Sequence, residues 1–237
     1  MSESAYSEGR AILDPKNLEV PQHSALVRVT HWLNAASFFG LLASGGLILI
    51  AHPRFYWGEA GAWGAPPIIQ LPIPVILGFS GWGRYLHFLS AWVCFLGGVA
   101  YVIPSLLMGH FRRDFLPEKG EIAWRPIWRI IAVYLHVRRP TSEESTRYNV
   151  LQRLTYIAVV FVLFPLVFLT GLAMSPGIGS AFPFIVKMFG GEQSARTVHF
   201  FLAGMLVLFL VVHLIMIGLT GFSARVGAMI VGRGKDE

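Results

Sequence analysis

Long apolar runs, separated by polar and charged stretches, dominate the pattern of residues along this chain. Four runs are long enough for a membrane-spanning helix, which takes about 20 residues; they cover roughly 30–52, 84–108, 150–175 and 196–221. Lipid offers backbone groups no hydrogen-bond partners, so these runs must be helical, and their continuity excludes the alternating pattern of a membrane β-barrel. The pattern predicts an all-α integral membrane protein, a four-helix bundle whose membrane domain covers 30–222.

Composition and charge refine this picture. Hydrophobic residues make up 54% of the 237 residues and charged residues only 14%, whereas soluble domains carry about 25% charged residues. Residues 1–29 are predicted to form a cytoplasmic N-terminal segment and 223–237 a cytoplasmic tail. The polar start lacks the apolar core of a signal peptide, so the first span is expected to act as its own insertion signal.

The basic residues predict the orientation, because they are retained on the cytoplasmic side of a membrane. They concentrate in the N-terminal segment, the tail and the connection between the second and third spans, which contains Arg112, Arg113, Lys119, Arg125, Arg129, Arg138, Arg139 and Arg147. Both termini and this connection are therefore placed on the cytoplasmic side of a bacterial inner membrane. The net charge of +6 is attributed to topology and to attraction by inner-leaflet lipid, and no nucleic-acid partner is expected.

The two longest connections differ in character. The one at 53–83 is rich in Pro, Gly and Trp, is too interrupted by proline for a fifth spanning helix, and is placed at the outer interface, which Trp and Tyr favour. The stretch Trp124–His136 combines apolar residues with arginines. It fits an interfacial amphipathic helix or an irregular loop, and the sequence leaves both open.

Three of the four spans open alike, with "RVTHWLNA" from Arg28, "RYLHFLSA" from Arg84 and "RTVHFFLA" from Arg196. In each, an arginine precedes a histidine by three residues, so the two share a helical face. The fourth span carries a second histidine, His213, 14 residues after His199. The two differ by about 40° in azimuth and lie about 21 Å apart along the axis.

The predicted topology sorts these histidines by depth. It places His87 and His199 near the outer side and His31 and His213 near the inner side, which is the geometry of two bis-histidine sites for two b-type haems. Arg28, Arg84 and Arg196 are candidates for the haem propionates, because guanidinium groups pair with carboxylates. The alternative for any one histidine is a hydrogen bond to a neighbouring helix.

Other residues of similar chemistry are not expected to bind a metal. A structural zinc site wants four clustered ligands. Four further histidines fall outside the spans or at their edges and are expected to be solvated or interfacial: His23, His52, His110 and His136. The single cysteine, Cys94, is interpreted as a small buried hydrophobe, and no CxxCH motif for covalent haem attachment occurs.

With these motifs, the sequence resembles the prokaryotic di-haem cytochrome b subunits of membrane-bound hydrogenases, formate dehydrogenases and thiosulfate reductases. The resemblance covers about 25–225 and is carried by "RVTHWLNA", "RYLHF", "RYNVLQRLTY" and the histidine pair in the fourth span. It implies an outer haem held by His87 and His199 and an inner haem held by His31 and His213, in agreement with the pairing by depth. It also implies electron exchange between a periplasmic redox partner and quinone.

The resemblance places quinone near the inner haem, beside the start of the third span. Asn149 and Gln152 match the family's polar motif there, although Asn149 equally suits a helix N-cap. The formate dehydrogenase subunit has a glycine between these residues, whereas this chain has Leu151. The long outer connection, with Tyr56, Trp57, Trp63 and Trp82, resembles that of cytochromes paired with a periplasmic molybdopterin oxidoreductase.

Two other functions remain open from the sequence. A stand-alone oxidoreductase that passes electrons from superoxide or another small molecule to quinone would share this histidine layout, and the long connection argues against it. A transporter would use the histidines as proton relays, and the absence of Asp and Glu from the four spans argues against that. No catalytic constellation is present in the chain, so we expect an electron-transfer subunit.

Overall fold

The computed structural model describes residues 24–59, 65–77, 80–107, 150–219 and 221–232. Within them, four helices are long and apolar enough to cross a membrane: Ala25–Ala51, Gly81–Leu107, Arg153–Ala173 and Glu192–Gly218. The prediction of a four-helix membrane bundle is therefore confirmed. Three spans begin three to five residues before the predicted run, because polar residues at their starts also take helical conformations, and the span Arg153–Ala173 begins three residues after it. The segment Trp124–His136 lies outside the described residues.

The first two spans, α1 (Ala25–Ala51) and α2 (Ser80–Leu107), are antiparallel and meet through small residues. Five contacts mark the seam, with positions that rise on α1 as they fall on α2: Asn34 with Gly97, Ser37 with Cys94, Gly40 with Ser90, Ser44 with His87 and Leu47 with Gly83. Small residues let two backbones approach closely, which replaces the hydrophobic drive that lipid does not supply.

The third span is not one regular helix. It consists of α3 (Val150–Ala158), a π-helical segment (Val159–Leu163) and α4 (Phe164–Ala173). Pro165 has no N–H to bond to the carbonyl four residues earlier, so the α-helical pattern is interrupted just before it. A π-helical turn accommodates the interruption within the span, a departure from the regular helix expected from the apolar run.

The connections at the end of α1 and at the start of the fourth span form an ordered cap. A short antiparallel hairpin pairs β1 (Arg54–Phe55) with β2 (Ile69–Gln70), and two short helices, α5 (Pro176–Ala181) and α6 (Pro183–Met188), precede α7 (Glu192–Leu219). We call the end of the bundle that carries this hairpin the hairpin end. As expected, the described part of 53–83 contains no fifth spanning helix.

Hydrogen bonds fasten the segment after α1 to the first turns of α7. Gly58 N–H donates to Ser194 Oγ (2.8 Å), Gln193 N–H donates to Gly58 O (3.0 Å), and Thr197 Oγ1 donates to Tyr56 O (2.7 Å). Gly191 lies against the Gly58 backbone at a φ of +118°, where a Cβ atom would collide with that backbone. The end of α1 thus lies beside the start of α7, and the two helices run in opposite directions.

The chain forms two compact units. One contains Leu26–Pro104 and Val159–Met216, and so includes the hairpin, α4 to α6 and most of α1, α2 and α7. The other contains α3 and an additional helix, α8 (Phe222–Val231), which is bounded by Gly221 and Gly232, both at positive φ. The helix α8 occupies most of the stretch that was predicted only as a tail.

Candidate functional site

His87 on α2 contacts a buried hydroxyl on α1. Its Nδ1 lies 3.0 Å from Ser44 Oγ, and the Ser44 side chain is fully buried. The next residue, Gly45, has no side chain to separate the helices. A Cβ atom there would lie 3.6 Å from His87 Cε1 and 3.9 Å from its Nδ1. The Nδ1–Cε1 edge of the imidazole therefore lies against the Ser44–Gly45 pair.

His199 on α7 has an equivalent environment on α4. Its Nδ1 lies 3.0 Å from Thr170 Oγ1, and Thr170 is also fully buried. A Cβ atom at Gly171 would lie 3.6 Å from His199 Cε1 and 3.9 Å from its Nδ1. Each histidine thus contacts a hydroxyl residue that is followed by a glycine, and the distances are the same for His87 and His199.

The two imidazoles also face one site. Their ring centroids are 6.2 Å apart, with 61° between the ring planes. A bond from an imidazole nitrogen to a metal is about 2.0 Å and a ring centre lies about 1.2 Å from its nitrogens, so a metal held between two rings separates their centroids by about 6.4 Å. With each Nδ1 in contact with a hydroxyl, Nε2 is the nitrogen available for ligation. His87 and His199 thus fit an axial ligand pair for haem iron.

The second pair, His31 and His213, lies far from this site along the helices. His31 precedes Ser44 by 13 residues, about 20 Å on α1, and His213 follows His199 by 14 residues, about 21 Å on α7. Because α1 and α7 run in opposite directions, both histidines are displaced away from the hairpin end. His31 makes an edge contact with Trp32 at 5.3 Å, and His213 stacks on Phe209 at 5.7 Å. Their joint ligation of a haem stays a prediction.

Two of the three arginines in the repeated motif converge at the hairpin end. The Arg196 guanidinium donates to the backbone carbonyl of His52 and lies 5.3 Å from the Phe55 ring centroid. Arg84 is exposed and close enough to His52 to act on it electrostatically. Arg28 lies on the first turn of α1, three residues before His31. The predicted role of these arginines toward haem propionates is not tested by this arrangement.

His52 follows the last residue of α1 and is exposed. Partial burial and the positive charges of Arg196 and Arg84 lower the pKa of His52 below its usual value. The positive charges of Arg196 and Arg84 near His52 make this corner of the molecule suited to anionic groups.

The predicted quinone residues are described only in part. Gln152 lies in the first turn of α3, and Asn149, just before it, lies outside the described residues. Trp57 and Trp82 are 60% and 62% exposed, and their place at the membrane interface stays a prediction. Trp63, His23, His110 and His136 also lie outside the described residues. In the part of the chain that is described, no three His, Cys, Asp or Glu side chains gather as a metal site.

Ser44 and Thr170 are the residues of this site that the sequence did not reveal. A serine or threonine within an apolar helix usually bonds to its own backbone, and both do so here. A weak signal exists, since each precedes a glycine and lies in a span whose neighbour carries a histidine. Pairing them with His87 and His199 requires the helix register, which the sequence pattern alone does not supply.

Comparisons with known proteins place the chain in a family. The family model described as prokaryotic cytochrome b561 matches residues 22–232. A relative from Azospira oryzae, provisionally named protein-methionine-sulfoxide reductase subunit YedZ1, is 28% identical over 83% of this chain and 90% of its own length. Another from Cupriavidus necator, provisionally named Ni/Fe-hydrogenase B-type cytochrome subunit, is 24% identical over 89% of this chain and 82% of its own. No solved structure matches significantly.

Proposed function

Because the chain belongs to the prokaryotic cytochrome b561 family, it is a haem b protein of membrane electron transfer, and we propose that it carries electrons through two b-type haems between a periplasmic redox partner and quinone. The observation that carries this proposal is the His87–His199 pair, with ring centroids 6.2 Å apart and each Nδ1 on a buried hydroxyl. A matched pair of this kind suits one iron with two axial imidazoles.

Each part of the chain has a defined task in this proposal. The haem iron supplies reversible one-electron chemistry, and the protein supplies position and electrostatics. His87 and His199 hold one haem towards the hairpin end, and His31 and His213 hold the other about 20 Å further along the helices. Arg84 and Arg196 compensate the propionates of the first haem, and Arg28 those of the second. The hairpin end is assigned to the periplasm, which leaves both termini in the cytoplasm.

The names of the relatives suggest the class of partner. One is named a subunit of a reductase for methionine sulfoxide in proteins and the other a cytochrome subunit of a Ni/Fe-hydrogenase, so each is named as part of a larger redox system. This chain is proposed to serve a periplasmic oxidoreductase subunit in the same way, including the molybdopterin class. The exposed Trp57 and the hairpin beside α7 offer that partner a surface close to the His87–His199 site.

Quinone is proposed to bind at the start of α3, through Asn149 and Gln152. An amide side chain offers both donors and an acceptor, which suits a quinone carbonyl and a quinol hydroxyl alike. This end of the third span also gives the protons of the quinone reaction access to the cytoplasmic solution, because the basic residues of 109–148 assign it to that side.

Haem content measured on purified variants tests the ligand assignment. The parent is expected to hold two haems per chain. His87→Ala and His199→Ala should each lose the same haem, and His31→Ala and His213→Ala the other, as shown by redox titration of the remaining signal. His52→Ala is the control, because His52 is assigned no iron, and it should retain both. Retention of two haems in any of the four ligand variants contradicts this assignment.

Copurification from native membranes tests the role. A second redox subunit that is reduced or oxidised through this chain supports the proposal. If the isolated chain alone transfers electrons from superoxide or another small molecule to quinone, the stand-alone oxidoreductase is favoured instead.

A further inference from the structure

The hydroxyl groups of Ser44 and Thr170 have their single protons already engaged. Ser44 Oγ lies 2.6 Å from Gly40 O and 3.2 Å from Leu41 O. Thr170 Oγ1 lies 2.9 Å from both Leu166 O and Val167 O. A carbonyl oxygen can only accept a hydrogen bond, so each hydroxyl must donate to its own helix backbone.

Because the hydroxyl proton is donated to the backbone, it is also clear which group donates in the contact with histidine. A hydroxyl has one proton and two lone pairs. With the proton on the backbone carbonyl, the oxygen can only accept from the imidazole, so Nδ1 of His87 and of His199 must carry a proton. The neutral imidazole then has its lone pair on Nε2, the atom that would ligate iron.

We propose that Ser44 and Thr170 are positioning residues that hold His87 and His199 in the Nδ1–H tautomer, present Nε2 to the haem iron, and help to set the reduction potential of that haem. This inference rests on the proposed function, which makes these histidines a ligand pair. An acceptor on the distal nitrogen of a ligating imidazole raises the basicity of the ligand. A more basic ligand favours the ferric state, so the two hydroxyl groups lower the potential.

The surrounding structure separates this role from ordinary helix packing. Ser37, also buried on α1, bonds to the carbonyl of Asn34, and its side chain lies beside Cys94. Ser37 and Ser44 therefore share burial and backbone bonding, but Ser44 receives a histidine. Each ring also lies close to the glycine that follows its hydroxyl residue. A Cβ atom at Gly45 or Gly171 would lie 3.6 Å from the Cε1 atom of the histidine. The two rings therefore have matching positions relative to their hydroxyl groups.

Four variants of the full chain, purified with both haems, test the inference. Thr170→Val keeps the shape of the side chain and removes the hydroxyl acceptor of His199, leaving the Val167 carbonyl as its acceptor. Ser44→Ala does the same for His87, leaving the Leu41 carbonyl. Thr170→Ser restores a hydroxyl, and Ser37→Ala removes a buried hydroxyl that faces no histidine. The measurements are the midpoint potential of each haem, haem retention during dilution, and the low-spin ferric EPR signal, which responds to the orientation of the axial imidazoles.

We expect Thr170→Val and Ser44→Ala to bind the His87–His199 haem at least about tenfold more weakly. If the loss falls mainly on the ferric state, a tenfold change corresponds to a rise of about 59 mV in its potential. The other haem should keep its potential in both variants. Thr170→Ser and Ser37→Ala should resemble the parent in all three measurements.

Two results overturn the inference, and they are distinguishable. If His87→Ala and His199→Ala lose one haem but Thr170→Val and Ser44→Ala keep the parental potential and EPR signal, the hydroxyl groups do not act on the ligands, and the proposed function stands. If His87→Ala retains both haems, the ligand assignment fails, and the inference fails with it. Should Ser44→Ala accumulate poorly, the comparison of Thr170→Val with Thr170→Ser decides the question.

Discussion

Asn34 on α1 and Gly97 on α2 touch so closely that a Cβ atom at position 97 would lie 2.5 Å from Asn34 Oδ1. The Oδ1 atom is buried and accepts no hydrogen bond from the described residues. The contact therefore depends on the missing side chain of Gly97, and it aligns α1 and α2 close to the level of His31, which precedes Asn34 by three residues on α1.

The first prediction follows from this contact. Gly97→Ala should push α1 away from α2 and destabilise the protein by about 1–3 kcal/mol, the usual cost of overpacking. Gly98→Ala is the control, because a Cβ atom there meets nothing within 4 Å. Thermal loss of the haem absorption in detergent measures both. If both variants lose the haem absorption at the same temperature, the contact between Asn34 and Gly97 does not restrict the distance between α1 and α2.

A second prediction concerns pH. The pKa of His52 is lowered in the folded chain by burial and by Arg196 and Arg84, so below the unfolded pKa of about 6.5 the unfolded chain binds more protons at this residue. The His52 contribution to stability is therefore complete at alkaline pH and falls as the pH drops through that value. His52→Gln should flatten this part of the stability profile between pH 7.5 and 5.5, measured on the protein freed of haem. An unchanged slope would contradict it.

The third prediction concerns the arginines. Arg84→Gln should lower the potential of the His87–His199 haem, because removal of a nearby cation disfavours the reduced and more negative state. Arg28→Gln should lower that of the other haem and leave the first unchanged. Redox titration with each haem resolved measures both shifts. Arg54→Gln, a change at another arginine of the hairpin end, serves as the control, and an equal shift in all three would indicate only a general effect of charge.

The fourth prediction concerns quinone. Asn149→Ala or Gln152→Ala should slow electron exchange between a soluble quinol analogue and the haems by about tenfold, since one hydrogen bond of about 1–1.5 kcal/mol is lost. Both haems should remain bound with parental potentials. Stopped-flow absorption measures the rate, and Trp57→Ala is the comparison at the hairpin end. If only the Trp57 variant is slow, quinone binds at the hairpin end.

The sequence predicts the four spans well because each is a nearly continuous apolar run, and a bilayer leaves such a run little choice but a helix. The histidine pair His87–His199 was also predictable, since helix periodicity and topology gave its depth. The level of His31 and His213 follows from the same periodicity.

Other features depend on contacts between distant residues. The bonds of Ser44 and Thr170 to histidines require a register between helices, which small residues such as Gly97 set and which no local pattern encodes. The π-helical turn arises from Pro165 within an otherwise uniform apolar run, where either a kink or a π turn would accommodate it. The cap that joins Gly58 to Ser194 links positions 136 residues apart.

The distribution of side chains has a consequence for redesign. Large apolar residues such as Phe39, Leu96 and Leu208 lie on the outside, 53%, 59% and 64% exposed, while the fully buried polar residues in the described part of the chain are Ser and Thr. Among the described residues, the hydroxyl contacts that orient His87 and His199 involve none of these exposed side chains. A water-soluble version of this bundle can be sought by exchanging its outer surface for Glu, Lys and Gln, with every residue of the interior kept.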